Sequence, residues 1–281
     1  MIDLHTHSTA SDGHLTPTEL VERAAAEKVS ALALTDHDTV EGLDEAAAAA
    51  SRLGITLVPG IELEVDFQPG AFHLLGLGLR KWKGPARRRL ERVRQFRYDR
   101  NLKMIELLQH AGFRVSYPEL LEISGHGTVG RPHFAQLLVD KGIVSTYQQA
   151  FDELIGNGCP FYVRKKALGV GPSCASIHAA GGLAVIAHPR TLQIGWDELN
   201  RSLGRWKHEG VDGLEAYHAK TSCNEAHRYA ALASEHGLIV TAGSDFHAPD
   251  RNGSRLGHTC NGEPIDDRFL EPFTREDREG D

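Results

Sequence analysis

Short apolar segments that alternate with helical patterns are the feature that most constrains how this chain can fold. Seven such segments occupy residues 2–6, 30–35, 55–60, 72–78, 183–187, 211–216 and 238–242. The run SALALT at 30–35 is apolar at most positions, which is typical of strands in a parallel sheet covered on both faces. Seven strands of this kind, alternating with helices, predict an α/β fold and favour a closed barrel.

The helical patterns carry start and stop signals. Thr16 and Glu19 form a capping box and predict a helix that runs to about Lys28. A second helix over 41–53 is expected to end at Gly54. Further helices are predicted over 171–180, 196–208 and 223–236.

The alternation stops between the fourth and fifth strands. Residues 81–167 show only helical patterns, at 84–110, 117–123, 131–141 and 146–155. Between Arg80 and Lys103 there are 11 Lys or Arg residues and two acidic ones, a local charge of +9 in a chain whose net charge is −7. The predicted organisation is a discontinuous barrel over 1–80 and 168–260, a helical, substrate-binding insertion over 81–167, and an acidic tail over 261–281.

The length and composition of the chain exclude several classes of protein. A chain of 281 residues can bury a core, and a net charge of −7 argues against a protein that coats nucleic acid as a whole. The four cysteines show no CxxC pairing, so we interpret them as buried or inert thiols. No apolar run reaches the roughly 18 residues of a membrane span, and no signal-peptide pattern opens the sequence. We expect a cytoplasmic protein without membrane association or an obligate protein partner.

Histidine is unusually abundant, with 16 residues, and its placement is informative. His5 and His7 are spaced i, i+2 at the end of the first strand, so both imidazoles leave the same face. Parallel α/β barrels place their active sites at that end of their strands. Asp12 follows in the next turn.

Imidazole and carboxylate groups recur at the ends of the later strands. They are Asp36, His37, Asp38, Glu62, His73, His188, Glu215, His218, Asp245 and His247. Independent core histidines would not be expected to align in this way, because each buried imidazole needs its own partner. Since imidazole with carboxylate is the ligand set of Zn, Mn and Fe sites, the sequence predicts a metal cluster at this edge of the sheet.

Taken together, the motifs resemble the PHP family, named for polymerase and histidinol phosphatase, within the wider amidohydrolase-like metal hydrolases. The motifs are HTHSTASDG, TDHDT, GIE, HLLG, AHP and GSDFH, and the resemblance covers residues 1–79 and 168–258. It implies a distorted (β/α)7 barrel that holds two to three divalent ions.

The resemblance also implies roles for single residues. The first metal would be held by His5, His7, Glu62 and Asp245, the second by Glu62, His73 and His188, and the third by Asp12, His37 and His247. Some members have histidine where this chain has Asp12, so the third site favours Mn²⁺, although Zn²⁺ or Fe²⁺ would also suit the cluster. Asp245, His188 and Glu62 are the expected catalytic residues. Glu215 and His218 lie near the mouth, where a supporting or substrate-binding role competes with a structural one.

The insertion is expected to choose the substrate, because it leaves and re-enters the barrel near the mouth. Within it, the segment Gly130–His133 (GRPH) places Arg131 at a helix start, where a guanidinium and free N–H groups suit a phosphate. The predicted substrate contacts are Arg131, His133, Arg164, Lys165 and, from the barrel, His218.

A cluster of cations suits phosphate ester hydrolysis, and no P-loop or dinucleotide fingerprint is present. PHP proteins with this insertion and a GRPH-like segment resemble the group that hydrolyses the 3′-phosphate of 3′,5′-nucleotide bisphosphates such as pAp, some of which also trim short RNA from the 5′ end. We therefore expect a nucleotide or a short oligonucleotide as substrate. The alternatives are a histidinol-phosphate phosphatase and a non-catalytic or proofreading PHP module. RNA binding alone lacks a recognisable module signature.

Overall fold

The computed structural model describes residues 1–83, 85–125, 127–248 and 254–274, and for 85–92 it describes the backbone alone. A single sheet holds seven strands in the order of the sequence. They are β1 Ile2–Thr6, β2 Ala31–Leu34, β3 Thr56–Val65, β4 Phe72–Leu77, β5 Leu183–Ile186, β6 Gly213–His218 and β7 Ile239–Gly243. The predicted strands are therefore all present, with small differences at their ends.

The sheet closes almost completely into a barrel. The N–H of His7 donates to the carbonyl of Phe246 at 2.9 Å, and the N–H of Asp245 donates to the carbonyl of His5 at 3.0 Å. These bonds join β1 to the chain that follows β7. The predicted α/β barrel is confirmed.

Strand β4 is where the barrel departs from a regular (β/α)7 repeat. It pairs antiparallel with both β3 and β5, whereas the other neighbouring pairs of the sheet are parallel. Only residues 66–71 separate β3 from β4, too few for the crossover of roughly a dozen residues that a parallel pair requires. Because β4 runs in reverse, its first residues lie at the same mouth as the last residues of its parallel neighbours.

Helices cover the outside of the barrel and build the insertion. They are α1 Pro17–Ala26, α2 Leu43–Leu53, α3 Pro85–His110, α4 Tyr117–Ile123, α5 Arg131–Asp140, α6 Tyr147–Gln149, α7 Val170–Ala179, α8 Trp196–His208, α9 Cys223–Glu235 and α10 Glu271–Thr274. The capping box of Thr16 and Glu19 is present, and α2 ends at Gly54 with a φ of 70°. A π-helix over Ala150–Ile155 continues α6, and the start predicted at Gly84 lies outside the described residues.

The insertion has an apolar core of its own. Met104, Leu108, Phe134 and Leu138 are fully buried in it, separately from the core between the sheet and its outer helices. Ion pairs tie it to the barrel, including Arg97 to Asp38. The insertion is thus packed internally by apolar contacts and docked by charges.

The chain after β7 returns beneath the barrel. Ile265 and Phe269 pack with Ile2 and Leu4, and the carbonyl of Ile265 accepts from the N–H of Ile2 at 3.2 Å. The first part of the predicted acidic tail is therefore part of the barrel's packing, because its apolar residues close the end opposite the mouth. Residues 275–281 of that tail lie outside the described residues.

Candidate metal centre

Glu62, on β3, lies at the centre of the barrel mouth and is fully buried. Its Oε1 is 2.8 Å from His73 Nδ1 and 2.9 Å from His188 Nε2. Its Oε2 is 3.1 Å from His37 Nδ1 and 3.2 Å from His7 Nε2. One carboxylate therefore faces imidazoles from four parts of the chain.

The electrostatic balance at Glu62 explains how a carboxylate is tolerated there. Burial alone would raise its pKa, but the nearby imidazoles of His37, His73 and His5 outweigh burial and hold the pKa well below its ordinary value. The carboxylate is thus held ionised, which is the form that binds a cation.

Asp245 and Asp12 complete the carboxylate set. Asp245 Oδ1 is 3.4 Å from His7 Nε2 and 3.5 Å from His5 Nε2. Asp12 Oδ1 is 3.4 Å from His247 Nε2. Imidazole and carboxylate atoms therefore converge on shared points rather than pairing one to one.

Two of these residues have backbone conformations that side-chain-bearing residues rarely adopt. The φ of His188 is 27° and that of Asp245 is 55°. Such conformations persist only where the surrounding structure enforces them, and they are common at functional sites. At the ends of β5 and β7 they accompany side chains that face the cluster.

Four groups of side chains place ligand atoms within 4.8 Å of one another. They are His7, Asp12, His37 and His247; His5, His7 and Asp245; His5, Glu62 and His188; and His37, Glu62 and His73. The structure thus brings all nine predicted ligands to one mouth. His7 Nδ1 is buried without a hydrogen-bond partner among the described residues, which fits an atom meant for a cation.

Glu215, on β6, supports this cluster from behind. Its Oε1 is 3.0 Å from His5 Nδ1, and its Oε2 accepts from the N–H of His188 at 2.7 Å. The carboxylate therefore orients the His5 ring and holds the strained backbone at His188. This geometry favours the supporting role that the sequence left open for Glu215.

The buried carboxylate of Asp3 was missed by the sequence analysis. It accepts from Ser244 Oγ at 2.6 Å and from the N–H groups of Ser244, Gly257 and His5. Burial raises its pKa to about 6. An acidic residue inside the apolar first strand was the available signal, and its contacts fix the backbone on either side of the ligands.

A cavity of roughly 390 Å³ opens directly onto the cluster. Beside the predicted ligands it is lined by Arg190, Lys220 and the buried His218. His218 Nε2 has no hydrogen-bond partner among the described residues and lies 3.5 Å from Asp245 Oδ2. Arg190 and Lys220 escaped the sequence analysis because single cations after a strand carry no pattern.

Arg131 lies in a second cavity that shares His73 and Thr191 with the first. Its guanidinium lies 5.4 Å from the centre of the Tyr162 ring. No carboxylate forms an ion pair with it within the described parts of the chain. A cation is therefore available beside the predicted metal ligands.

The other predicted substrate contacts in the insertion are engaged by protein groups. Lys165 is buried, with Nζ 2.5 Å from Asp38 Oδ2 and 3.2 Å from Glu64 Oε2. Arg164 pairs with Asp66 at 2.6 Å. His133 Nδ1 accepts from the N–H of Gly130 at 2.9 Å and so caps α5. These contacts hold the insertion in place and leave Arg131 as the more available cation of the set.

Arg100, on α3, is a buried cation that the sequence analysis did not single out. Only 6% of its surface is exposed, and its Nε has no hydrogen-bond partner among the described residues. Burial and the nearby charge of Arg97 lower its pKa to about 9, with a smaller effect from Arg131. The highly basic α3 pointed to this face, but sequence alone could not separate Arg100 from its neighbours.

Comparisons with known proteins agree with this geometry. A family model described as the PHP domain matches residues 3–244. A 3′,5′-nucleoside bisphosphate phosphatase of Chromobacterium violaceum is 38% identical over 94% of this chain and 93% of its own. A 5′-3′ exoribonuclease of Haemophilus influenzae is 37% identical over 88% of this chain and 90% of its own.

A solved structure has the same fold. A Bifidobacterium adolescentis protein described as a metal-dependent phosphoesterase superimposes with a TM-score of 0.82 at 29% identity, covering 96% of this chain and 94% of its own. Among the described residues, no helix is both long enough and apolar enough to span a membrane.

Proposed function

Because the chain belongs to the PHP domain family and is a metal-dependent hydrolase of phosphoric esters, we propose that it removes the 3′-phosphate of 3′,5′-nucleotide bisphosphates. The reaction converts pAp into AMP and phosphate. The observation that carries this proposal is the position of Arg131, which lines a cavity that also contains the predicted ligand His73 and lies near the buried cation Arg100.

The nine convergent side chains would hold two or three divalent ions, with Mn²⁺ as the expected metal and Glu62 shared between two sites. Such ions supply Lewis-acid charge that neutralises the phosphoryl oxygens and makes water more acidic. The scissile 3′-phosphate would therefore lie in the first cavity. Asp245 lines that cavity and would accept a proton from the attacking water.

Arg131, which lines the second cavity, would hold the 5′-phosphate there, and the nearby charge of Arg100 would favour an anion at this position. Arg100 is a buried cation whose Nε has no hydrogen-bond partner in the described part of the chain, and burying such a group is costly unless an anion binds to it. The two cavities meet at His73 and Thr191, so one nucleotide could reach both. Binding energy from the 5′-phosphate, which does not react, would then orient the 3′-phosphate ester that is hydrolysed.

Histidinol phosphate fits this arrangement less well. Its other end carries an ammonium group and an imidazole, which would meet Arg100 and Arg131 with like charge. The preference for a second anion therefore supports the nucleotide over this alternative.

Short RNA is a second candidate substrate, supported by Arg190 and Lys220. Both are exposed and line the outer part of the first cavity. Their charges could bind the phosphates of a strand that continues beyond the scissile bond. The name of the Haemophilus influenzae relative points the same way.

The test compares kcat/KM for pAp, 3′-AMP, 5′-AMP, histidinol phosphate and a 5′-phosphorylated trinucleotide at one Mn²⁺ concentration. We expect pAp to exceed 3′-AMP by at least about tenfold, since a charge-assisted contact contributes roughly 1.5–3 kcal/mol. Equal values for these two would remove the role of the 5′-phosphate. Histidinol phosphate matching pAp would overturn the nucleotide assignment.

A further inference from the structure

Two of the four cysteines are in contact in the fold, although no sequence motif pairs them. Cys223 Sγ and Cys260 Sγ lie 3.0 Å apart. Cys223 is the first residue of α9, and Cys260 begins a short 3-10 helix over Cys260–Gly262. The sequence offered no signal for this contact, because the two residues are 37 positions apart.

The two thiols have different surroundings. Cys260 is 3% exposed, and burial raises its pKa to about 11. Cys223 is only partly buried, and the side-chain amide of Asn261 donates to its Sγ at 3.3 Å. Because Cys223 is the more exposed of the two, it is the sulfur that can meet a reagent from solvent.

We propose that Cys223 and Cys260 form a reversible disulfide that clamps the start of α9 to the chain after β7. A disulfide bond is about 2.05 Å long, so the two sulfurs need to approach by only about 1 Å. The remaining cysteines contact other groups: Cys159 Sγ faces the carbonyl of Asp152 at 3.2 Å, and Cys174 is buried on α7.

A small disulfide such as oxidised glutathione is the oxidant that suits this geometry. The Cys223 thiolate attacks one glutathione sulfur, forming a mixed disulfide and releasing one glutathione thiolate. The Cys260 thiolate then attacks Cys223 Sγ and releases the second. Two protein thiols are oxidised, one small disulfide is reduced to two thiols, and the two protons pass to solvent or to the released thiolates.

The position of the clamp connects it to the metal centre. The segment between the two cysteines contains β7 and two predicted ligands, Asp245 and His247. Lys220 and Thr221, which line the first cavity, lie just before Cys223. The bond would therefore restrain the chain on both sides of this part of the mouth.

The test is to equilibrate the full-length, Mn²⁺-loaded protein with oxidised glutathione and then count thiols after unfolding. The wild type is expected to fall from four thiols to two, to lose about 2 Da, and to yield a peptide that joins Cys223 to Cys260. Closing this loop should also raise Tm by about 5 °C, and dithiothreitol should reverse both changes.

Three variants separate the clamp from general thiol oxidation. Cys159→Ser is the matched control and should still lose two thiols. Cys260→Ser should retain one glutathione on Cys223, and Cys223→Ser should keep its buried thiol free. A wild type that keeps four thiols, or that stays glutathionylated at Cys223, would overturn the proposal whether or not the enzyme hydrolyses pAp.

Discussion

The barrel mouth and the insertion both concentrate charge, but they use it differently. At the mouth, carboxylates and imidazoles at the ends of six strands place their ligand atoms close together, and His7 Nδ1 is buried without a hydrogen-bond partner among the described residues. In the insertion, Arg97 and Lys165 form ion pairs with Asp38, and Arg164 forms an ion pair with Asp66. Arg100 and Arg131, in contrast, form no ion pair among the described residues, and we assign these two cations of the insertion to a ligand.

Replacing Glu62 by Gln tests the mouth most severely. The amide keeps the shape but loses the charge that would hold two cations, so kcat/KM should fall by more than ~1,000-fold. Elemental analysis of the purified variant should find at least one ion fewer per chain than in the wild type. Full metal content with unchanged turnover would show that Glu62 is not a shared ligand.

Replacing Lys165 by Met tests the claim that this cation holds the insertion in place. Asp38 and Glu64 would lose a partner at a buried position, which should reduce the free energy of unfolding by about 3–5 kcal/mol. The stability difference between the wild type and the variant should be largest above pH 3.8, the ordinary pKa of Asp38. It should decrease as the pH falls below 3.8, because the pKa of Asp38 in the folded wild type is lower than this value.

Urea unfolding at several pH values measures this difference, and Lys166→Met is the neighbouring control. Unchanged stability of Lys165→Met combined with a large rise in KM would make Lys165 a substrate contact, as the sequence suggested.

Glu215→Gln tests whether the support behind the ligands matters. The variant keeps most of the contacts to His5 and His188 but not the charge, so metal affinity or activity should fall by about 10–100-fold. A Mn²⁺ titration of activity should show a higher requirement that excess metal partly restores. An unchanged Mn²⁺ requirement would make Glu215 a packing residue.

Arg131→Lys is the most specific of these substitutions, because its expected effect is confined to one substrate. The charge remains but the planar guanidinium is lost, so binding of pAp should weaken by about 1–3 kcal/mol while 3′-AMP is hardly affected. Arg114→Lys, at an exposed position of the insertion, is the matched control. Equal losses for both substrates would place Arg131 in a structural role.

Some features of the site could be predicted from the sequence because they depend on local sequence patterns. A residue at the end of a strand in a parallel barrel lies at the mouth whatever the outer helices do, so His5, His7 and His188 could be placed from the sequence. His73 reached the same mouth because the short link before β4 forces an antiparallel strand. The positions of His5, His7 and His188 thus follow from strand direction alone, whereas the reversed direction of β4 was not predicted and only the family resemblance implied the role of His73.

The pairing of charges was not readable, because it depends on elements far apart in the chain. Lys165 meets Asp38 across 127 residues, and Cys223 meets Cys260 across 37. Whether a cation stabilises the fold or is available to a ligand depends on its burial and on its ion-pair partners. Burial and partners are both set only when the insertion packs against the barrel. The sequence by itself determined the barrel, the family and the candidate ligands; the tertiary structure decided which cations form ion pairs within the protein.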